Sequence, residues 1–109
     1  MLRVSARRTG RELDLRAVVD PEIESMLTHG AELLAFTDAA VQRDRGAIGK
    51  ARHRLADVAG AEATVRAAAV AGNFQMMNRL LDAIGVRVGR AGMKLAIELG
   101  LKVPQHLHP

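Results

Sequence analysis

The sequence predicts an all-helical fold, a bundle of four alanine-rich helices. Apolar residues recur at three- and four-residue spacing over long stretches, and glycine or proline separates these stretches. Apolar residues make up 49% of the 109 residues, but aromatic residues make up only 2%. The core must then be built from small and aliphatic side chains, and small side chains bury little area each. We therefore expect the bundle to gain burial by oligomerising.

The first helix is predicted over residues 21–43. Asp20 is a good capping residue, and Pro21 suits the first helical position. An apolar stripe at helical spacing then continues as far as Val41. Residues 1–19 show no sustained period, and their "LDLRAVV" fits either a short strand or an extended arm. We expect residues 1–19 to form a loosely ordered arm of a single helical domain that spans the whole chain.

The second helix is predicted after the stretch "RDRGAIGK", in which Gly46 and Gly49 interrupt the helical pattern. An apolar face that includes Leu55 then runs towards Gly60. Glycine accepts the left-handed conformation that ends many helices, so Gly60 is the predicted stop.

The third helix, predicted over 61–84, is the least polar of the four. No polar side chain occurs between Arg66 and Asn73. A helix that is apolar on all sides is usually buried on several of them, so we expect burial here. Gly85 is the predicted stop of this helix. A shorter fourth helix is predicted to end at Gly100.

Charge is unevenly spread along the chain, whose formal net charge is +4. The stretch from Asp20 to Asp38 holds five acidic residues and no Lys or Arg. Five basic residues, here called the basic face, follow it: Arg43, Arg45, Lys50, Arg52 and Arg54. This split predicts electrostatic complementarity within or between subunits. The basic face lacks the interleaved aromatic residues that stack on bases, which argues against nucleic acid as the partner.

The chain contains no cysteine, so disulfides, thiolate metal sites and thiol catalysis by this chain are excluded. No apolar run reaches the roughly 18 residues of a membrane span. We expect a cytoplasmic protein with no membrane partner and no cofactor. His106 and His108 lie near the end of the sequence without the rest of a coordination shell, so no metal site is predicted.

Polar side chains interrupt the second half of the third helix, and four of them form a candidate site: Asn73, Asn78, Arg79 and Asp82. Both Asn78 and Arg79 are helical neighbours of Asp82, at spacings of four and three residues, and Arg79 can pair with it. One interpretation is a polar pocket in which Asn78 and Arg79 hold an anion or a carbonyl group. The preferred interpretation is a buried network in the helical core that fixes helix register.

A second candidate site is the pair of His29 and Glu32, three residues apart. Such a pair can perform general acid–base catalysis or contribute to a metal site. Two residues define neither, so a satisfied or partly exposed histidine is the preferred interpretation.

The stretch "HGAELLAFTDAAV", the basic helix and "AEATVRAAAVAGNFQMMNRLLDAIGV" also form a recognisable pattern. The pattern has a long Ala/Val-rich helix, an aromatic residue, an Asn-Arg pair four positions later and a closing Gly-Val: Phe74, Asn78, Arg79, Ile84, Gly85 and Val86. Over residues 29–86 this resembles the C-terminal helices of the alkylhydroperoxidase D-like, or carboxymuconolactone decarboxylase-like, proteins. The resemblance implies an all-helical fold that assembles into trimers or hexamers.

The peroxidase members of that family use a Cys-x-x-Cys pair, which has no counterpart in this chain. The resemblance therefore implies a non-catalytic homo-oligomer, or an accessory subunit beside a second protein chain. One alternative is a thiol-free, decarboxylase-like enzyme for a small molecule, with a pocket lined by His29, Glu32, Asn78 and Arg79. Another alternative is a small basic module that binds nucleic acid through the basic face.

Overall fold

The computed structural model describes residues 8–109. Four α-helices are defined in this part of the chain, and it contains no strand. The helices are α1 (Gly30–Gln42), α2 (Arg45–Ala59), α3 (Ala61–Ala83) and α4 (Arg90–Glu98). Two 3-10 turns, Leu15–Val18 and Gln105–Leu107, accompany them. The predicted all-helical class with four helices is confirmed for the described residues.

Internal contacts divide the chain into two compact units, with the boundary inside α3. Unit 1 is Met1–Gly72 and unit 2 is Asn73–Pro109. The expectation of one domain over residues 1–109 stays a prediction. Of the predicted N-terminal arm, residues 1–7 lie outside the described residues. "LDLRAVV" forms the first 3-10 turn rather than a strand.

The start of α1 corrects a sequence prediction, because the helix predicted over residues 21–43 begins only at Gly30. Two features of the chain prevent an α-helix before Gly30. The Asp20 carboxylate accepts the backbone N–H two residues later, at 3.0 Å, and so forms a local turn. Met26 and His29 then have positive φ angles of 65° and 56°, a left-handed conformation that a right-handed helix does not contain.

The start of α2 corrects a second prediction. Gly46 and Gly49 lie inside this helix and do not interrupt it. The side chain of Asp44 caps the helix by accepting the N–H of Ala47 at 3.0 Å, which stabilises a helical start before both glycines. The helix ends at Gly60, whose φ is +91°, as predicted.

The core of unit 1 lies where α1 packs along α2. Leu55 of α2 is completely buried, and Phe36 and Ala39 of α1 are nearly so. Ala17 joins them from the first 3-10 turn. Thr64 is buried at the start of α3, where its hydroxyl donates to the carbonyl of Gly60 at 3.0 Å.

The bounds of α3 agree with the predicted 61–84, and Gly85 follows with the left-handed φ of +73° that ends the helix. The predicted burial on several sides is wrong for the single chain. Thr64 is the one buried residue of α3 in the described structure, and Phe74 is 50% exposed. The apolar composition predicts that something covers this helix, but it does not predict which chain provides the cover.

Unit 2 combines the end of α3 with α4 and the C-terminal 3-10 turn. Gly100 follows α4 with a φ of +70°, as predicted for its stop. The N–H of Val88 donates to the carbonyl of Leu107 at 2.7 Å, which ties the connection before α4 to the C-terminal turn. Across residues 8–109, no helix combines the length and the apolar character that a membrane crossing requires.

Candidate functional site

Unit 2 contains a groove of about 630 Å³, here called the C-terminal groove. The end of α3, the connection to α4 and the C-terminal 3-10 turn form its walls. Most of the wall is apolar, and the apolar lining residues are Leu81, Val86, Val88, Pro104 and Leu107. This volume lies within the range of about 300–1,000 Å³ that is typical of small-molecule sites.

Hydrogen bonds hold the C-terminal wall of this groove in place. The bond between Val88 and Leu107 joins it to the connection before α4. The turn itself closes through the Leu107 N–H, which donates to Pro104 O at 2.9 Å. One residue later, His108 Nε2 lies 3.0 Å from Val103 O. Hydrogen bonds within the chain therefore hold two walls of the groove together.

The structure brings three of the four predicted polar residues of the third helix to this groove. Asn78, Arg79 and Asp82 line it, but Asn73 does not. The Asn73 amide nitrogen instead lies 3.7 Å from the sulfur of Met77. All four side chains are exposed in the single chain. The buried network in the helical core stays a prediction.

The charges in the groove favour an anion. Arg79 and Arg87 line it, and neither has an ion pair or a side-chain hydrogen bond within residues 8–109. The sequence spacing allows Arg79 to pair with Asp82, but the structure directs Asp82 towards His106, with 3.9 Å between Oδ1 and Nε2. Two arginines thus line the groove together with one aspartate.

Unit 1 contains a second groove, of about 720 Å³, here called the acidic groove. His29 and Glu32, the weak catalytic candidates, both line it. Three further carboxylates share its wall: Glu22, Glu24 and Asp38. Nowhere in residues 8–109 do three or more His, Asp or Glu side chains converge closely enough to hold a metal ion.

A buried serine shapes the loop that forms the acidic groove. Ser25 is 8% exposed, its hydroxyl accepts the N–H of Leu27 at 3.2 Å, and its carbonyl accepts the N–H of Asp14 at 3.0 Å. Gly30 packs directly against the Ser25 side chain. Sequence reasoning missed this contact, because it placed residue 30 inside a helix predicted over residues 21–43.

The entrance to this loop carries an exposed ion pair. The guanidinium of Arg16 donates to Asp14 at 2.6 Å, and this hydrogen bond raises the pKa of Arg16 above its ordinary value. Asp14 also accepts the backbone N–H of Arg16 at 3.0 Å and so caps the 3-10 turn. Exposed pairs of this kind add little stability, so the pair positions the turn rather than holding the fold together.

The basic face is a set of exposed side chains on and beside α2. Within residues 8–109, none of its five members forms an ion pair or a side-chain hydrogen bond. The chain has two aromatic residues; Phe36 is buried in the core of unit 1 and Phe74 belongs to unit 2. No Phe, Tyr or Trp lies among residues 43–54, which contain the basic face, whereas single-stranded nucleic acid stacks on aromatic side chains.

Comparison of the chain with protein-family models found no match. Comparisons with curated proteins and with solved structures found none either. The resemblance over residues 29–86 thus stays a prediction from short motifs.

Proposed function

We propose that this chain is a non-catalytic helical subunit that assembles with further copies of itself through α3. The observation that carries the proposal is a line of large apolar side chains along α3, here called the seam. Each is between 39% and 65% exposed in the single chain. The seam consists of Val70, Phe74, Met77 and Leu81 of α3 and of Ile84, the residue that follows the helix.

The spacing of the seam supports a helix as its cover. Its members alternate at intervals of four and three residues, which is the alternation of core positions in coiled coils. Ala63 and Ala67 continue the same alternation towards the start of the helix. The 23 residues of α3 span about 35 Å, so the seam runs along most of the helix. Covering it removes apolar surface from water, which favours association by about 25 cal/mol for each Å².

A second copy of the chain is the cover that we propose, because the seam and its flanks suit self-association. Asn73 and Asn78 flank the seam at positions where charged residues often select the partner of a coiled coil. These amides bring no like charges together and can bond across two copies of α3. Arg66, a further flanking residue, already pairs with Glu62 at 2.6 Å on its own helix.

Charge outside the seam supports the same assembly. The acidic groove of unit 1 and the basic face on α2 carry opposite charges on one chain, so each copy offers both partners of a complementary contact. The resemblance implies a trimer or a hexamer, and we propose that this chain forms one of these two assemblies.

Native mass spectrometry and sedimentation equilibrium test the proposal with matched variants. Met77→Glu places a charge in the seam, whereas Met76→Glu places the same charge on the outer side of the same helix. Val70→Glu and Val65→Glu form a second matched pair. The seam variants should be monomers, and the outer variants should keep the mass of the wild-type oligomer. A wild type that stays monomeric at its highest soluble concentration would overturn the proposal.

The enzyme alternative has less support from the geometry. Its four proposed residues line two grooves, with His29 and Glu32 in unit 1 and Asn78 and Arg79 in unit 2. The His29 side chain is exposed and forms no hydrogen bond or ion pair with a described residue. No contact of these four residues favours this activity over the assembly, so we do not propose it.

A further inference from the structure

The C-terminal groove combines an apolar wall with guanidinium groups that have no partner in residues 8–109. From this combination we infer that the groove binds a medium-chain fatty acid, a molecule with one carboxylate and a short acyl chain. The inference goes beyond the proposed assembly, since it concerns unit 2 of the single chain and needs no second copy.

The carboxylate end of the ligand is specified by Arg79 and Arg87. A guanidinium is planar and presents paired N–H donors that match the two oxygens of a carboxylate. The Asn78 amide adds one more donor at the same wall. Asp82 opposes an anion, but its carboxylate faces His106, which lies 3.9 Å from it. The positive charge of the groove therefore rests on the two arginines.

The acyl end of the ligand is specified by the apolar wall. Leu81, Val86 and Leu107 offer aliphatic side chains and no hydrogen-bonding group. A small inorganic anion such as phosphate would leave this wall in contact with water, so charge alone does not account for the groove. A molecule with both a carboxylate and an aliphatic chain satisfies both parts.

A backbone hydrogen bond holds two walls of the groove together, which favours binding. The hydrogen bond of 2.7 Å from Val88 to Leu107 fixes the distance between two of its walls. A ligand that enters a formed site orders fewer protein groups on binding, so more of the contact energy remains as affinity.

Titrations of the full chain followed by two-dimensional NMR test the inference. The probes are decanoate below its micelle concentration, decanol, acetate and inorganic phosphate. Decanoate should bind saturably and shift the amide signals of residues 78–88 and 105–108. Decanol lacks the charge and acetate lacks the chain, so each should bind at least about ten-fold more weakly.

Matched variants locate the site. Arg79→Gln and Arg87→Gln should each weaken decanoate binding by about ten-fold, because each removes a charged hydrogen-bond donor. Arg90→Gln removes the same charge from unit 2 but outside the groove, and it should leave the affinity unchanged. All three side chains are exposed, so thermal melting should confirm that the variants fold.

Two outcomes would overturn the inference. One is that phosphate binds as tightly as decanoate, which would show that the groove binds anions and that the acyl chain adds no affinity. The other is decanoate binding that survives both groove substitutions, which would mean adsorption to exposed apolar surface. Repeating the titration with Met77→Glu separates this inference from the proposed assembly, because a monomeric variant with an intact groove should still bind decanoate.

Discussion

Gly30 begins α1 directly against the side chain of Ser25. A Cβ added at residue 30 would overlap the Ser25 hydroxyl oxygen and would lie 3.3 Å from Ser25 Cβ. The same hydroxyl accepts the N–H of Leu27 at 3.2 Å. The absence of a side chain at residue 30 therefore allows the loop of the acidic groove to fold back onto the start of the helix.

Gly30→Ala should lower the free energy of unfolding by about 1–3 kcal/mol, because the new methyl group must displace a buried and hydrogen-bonded side chain. Gly49→Ala is the control. Gly49 lies inside α2 with nothing within 4 Å of the added Cβ, so alanine should stabilise the helix by about 0.5–1 kcal/mol. Urea unfolding at one fixed protein concentration measures both variants.

Ser25→Ala should recover part of the loss in the Gly30→Ala background, since it removes the overlapping oxygen. Recovery stays incomplete because Ser25 Cβ remains close and the Leu27 N–H loses its acceptor. A double-mutant cycle gives the coupling between the two positions. Additive losses would show that the two side chains do not meet.

Asp44→Ala should lower the free energy of unfolding by about 1 kcal/mol, because it removes the side chain that caps α2. Asp57→Ala removes the same charge from the exposed surface of α2, where no cap depends on it, and should change stability by less than about 0.5 kcal/mol. Thermal and urea unfolding of the two variants should therefore differ. Equal losses would mean that charge, rather than the hydrogen bond to Ala47, explains the effect.

The melting temperature of the wild type should rise with protein concentration, since association stabilises the folded subunit by mass action. Ile84→Lys should remove this dependence, because Ile84 is the most exposed residue of the seam. Val65→Lys, on the outer side of α3, should keep it. Circular dichroism melts over a wide range of protein concentrations measure the effect. A wild-type melting temperature that does not change with concentration would contradict the seam.

The basic face should not retain single-stranded DNA or RNA, even at low salt, because no aromatic side chain accompanies its charge. Fluorescence anisotropy with a labelled oligonucleotide measures this. Binding that weakens steeply with added salt and is lost in Arg52→Gln and Arg54→Gln would restore the nucleic-acid alternative.

The sequence predicted helix ends better than helix starts. Gly60, Gly85 and Gly100 all carry the positive φ values that end helices, and glycine marks such positions in a sequence. The start of α1 was misplaced because Met26 and His29 also have positive φ angles. These residue types do not indicate a left-handed conformation in a sequence. The start of α2 was misplaced because Gly46 and Gly49 were interpreted as a break, although the side chain of Asp44 caps the helix before them.

The candidate site was predictable only along one helix. Helical spacing made Asn78, Arg79 and Asp82 neighbours, and all three line the C-terminal groove. Arg87 and His106 were not predicted as members of this site. A backbone hydrogen bond between their neighbours Val88 and Leu107 brings the two segments together. Such a bond uses groups that every residue except proline carries, so residue types do not reveal it.

Leu81 belongs to both the seam and the C-terminal groove. A ligand that packs on this side chain changes the surface that a second helix meets, and a second helix changes the surface that the ligand meets. Thermodynamic linkage makes such effects equal in both directions: a fatty acid that shifts the subunit equilibrium must itself bind the assembled and the separated chain with different affinity, by the same factor. Because Leu81 is shared by both surfaces, the number of copies in the assembly would depend on the concentration of the fatty acid.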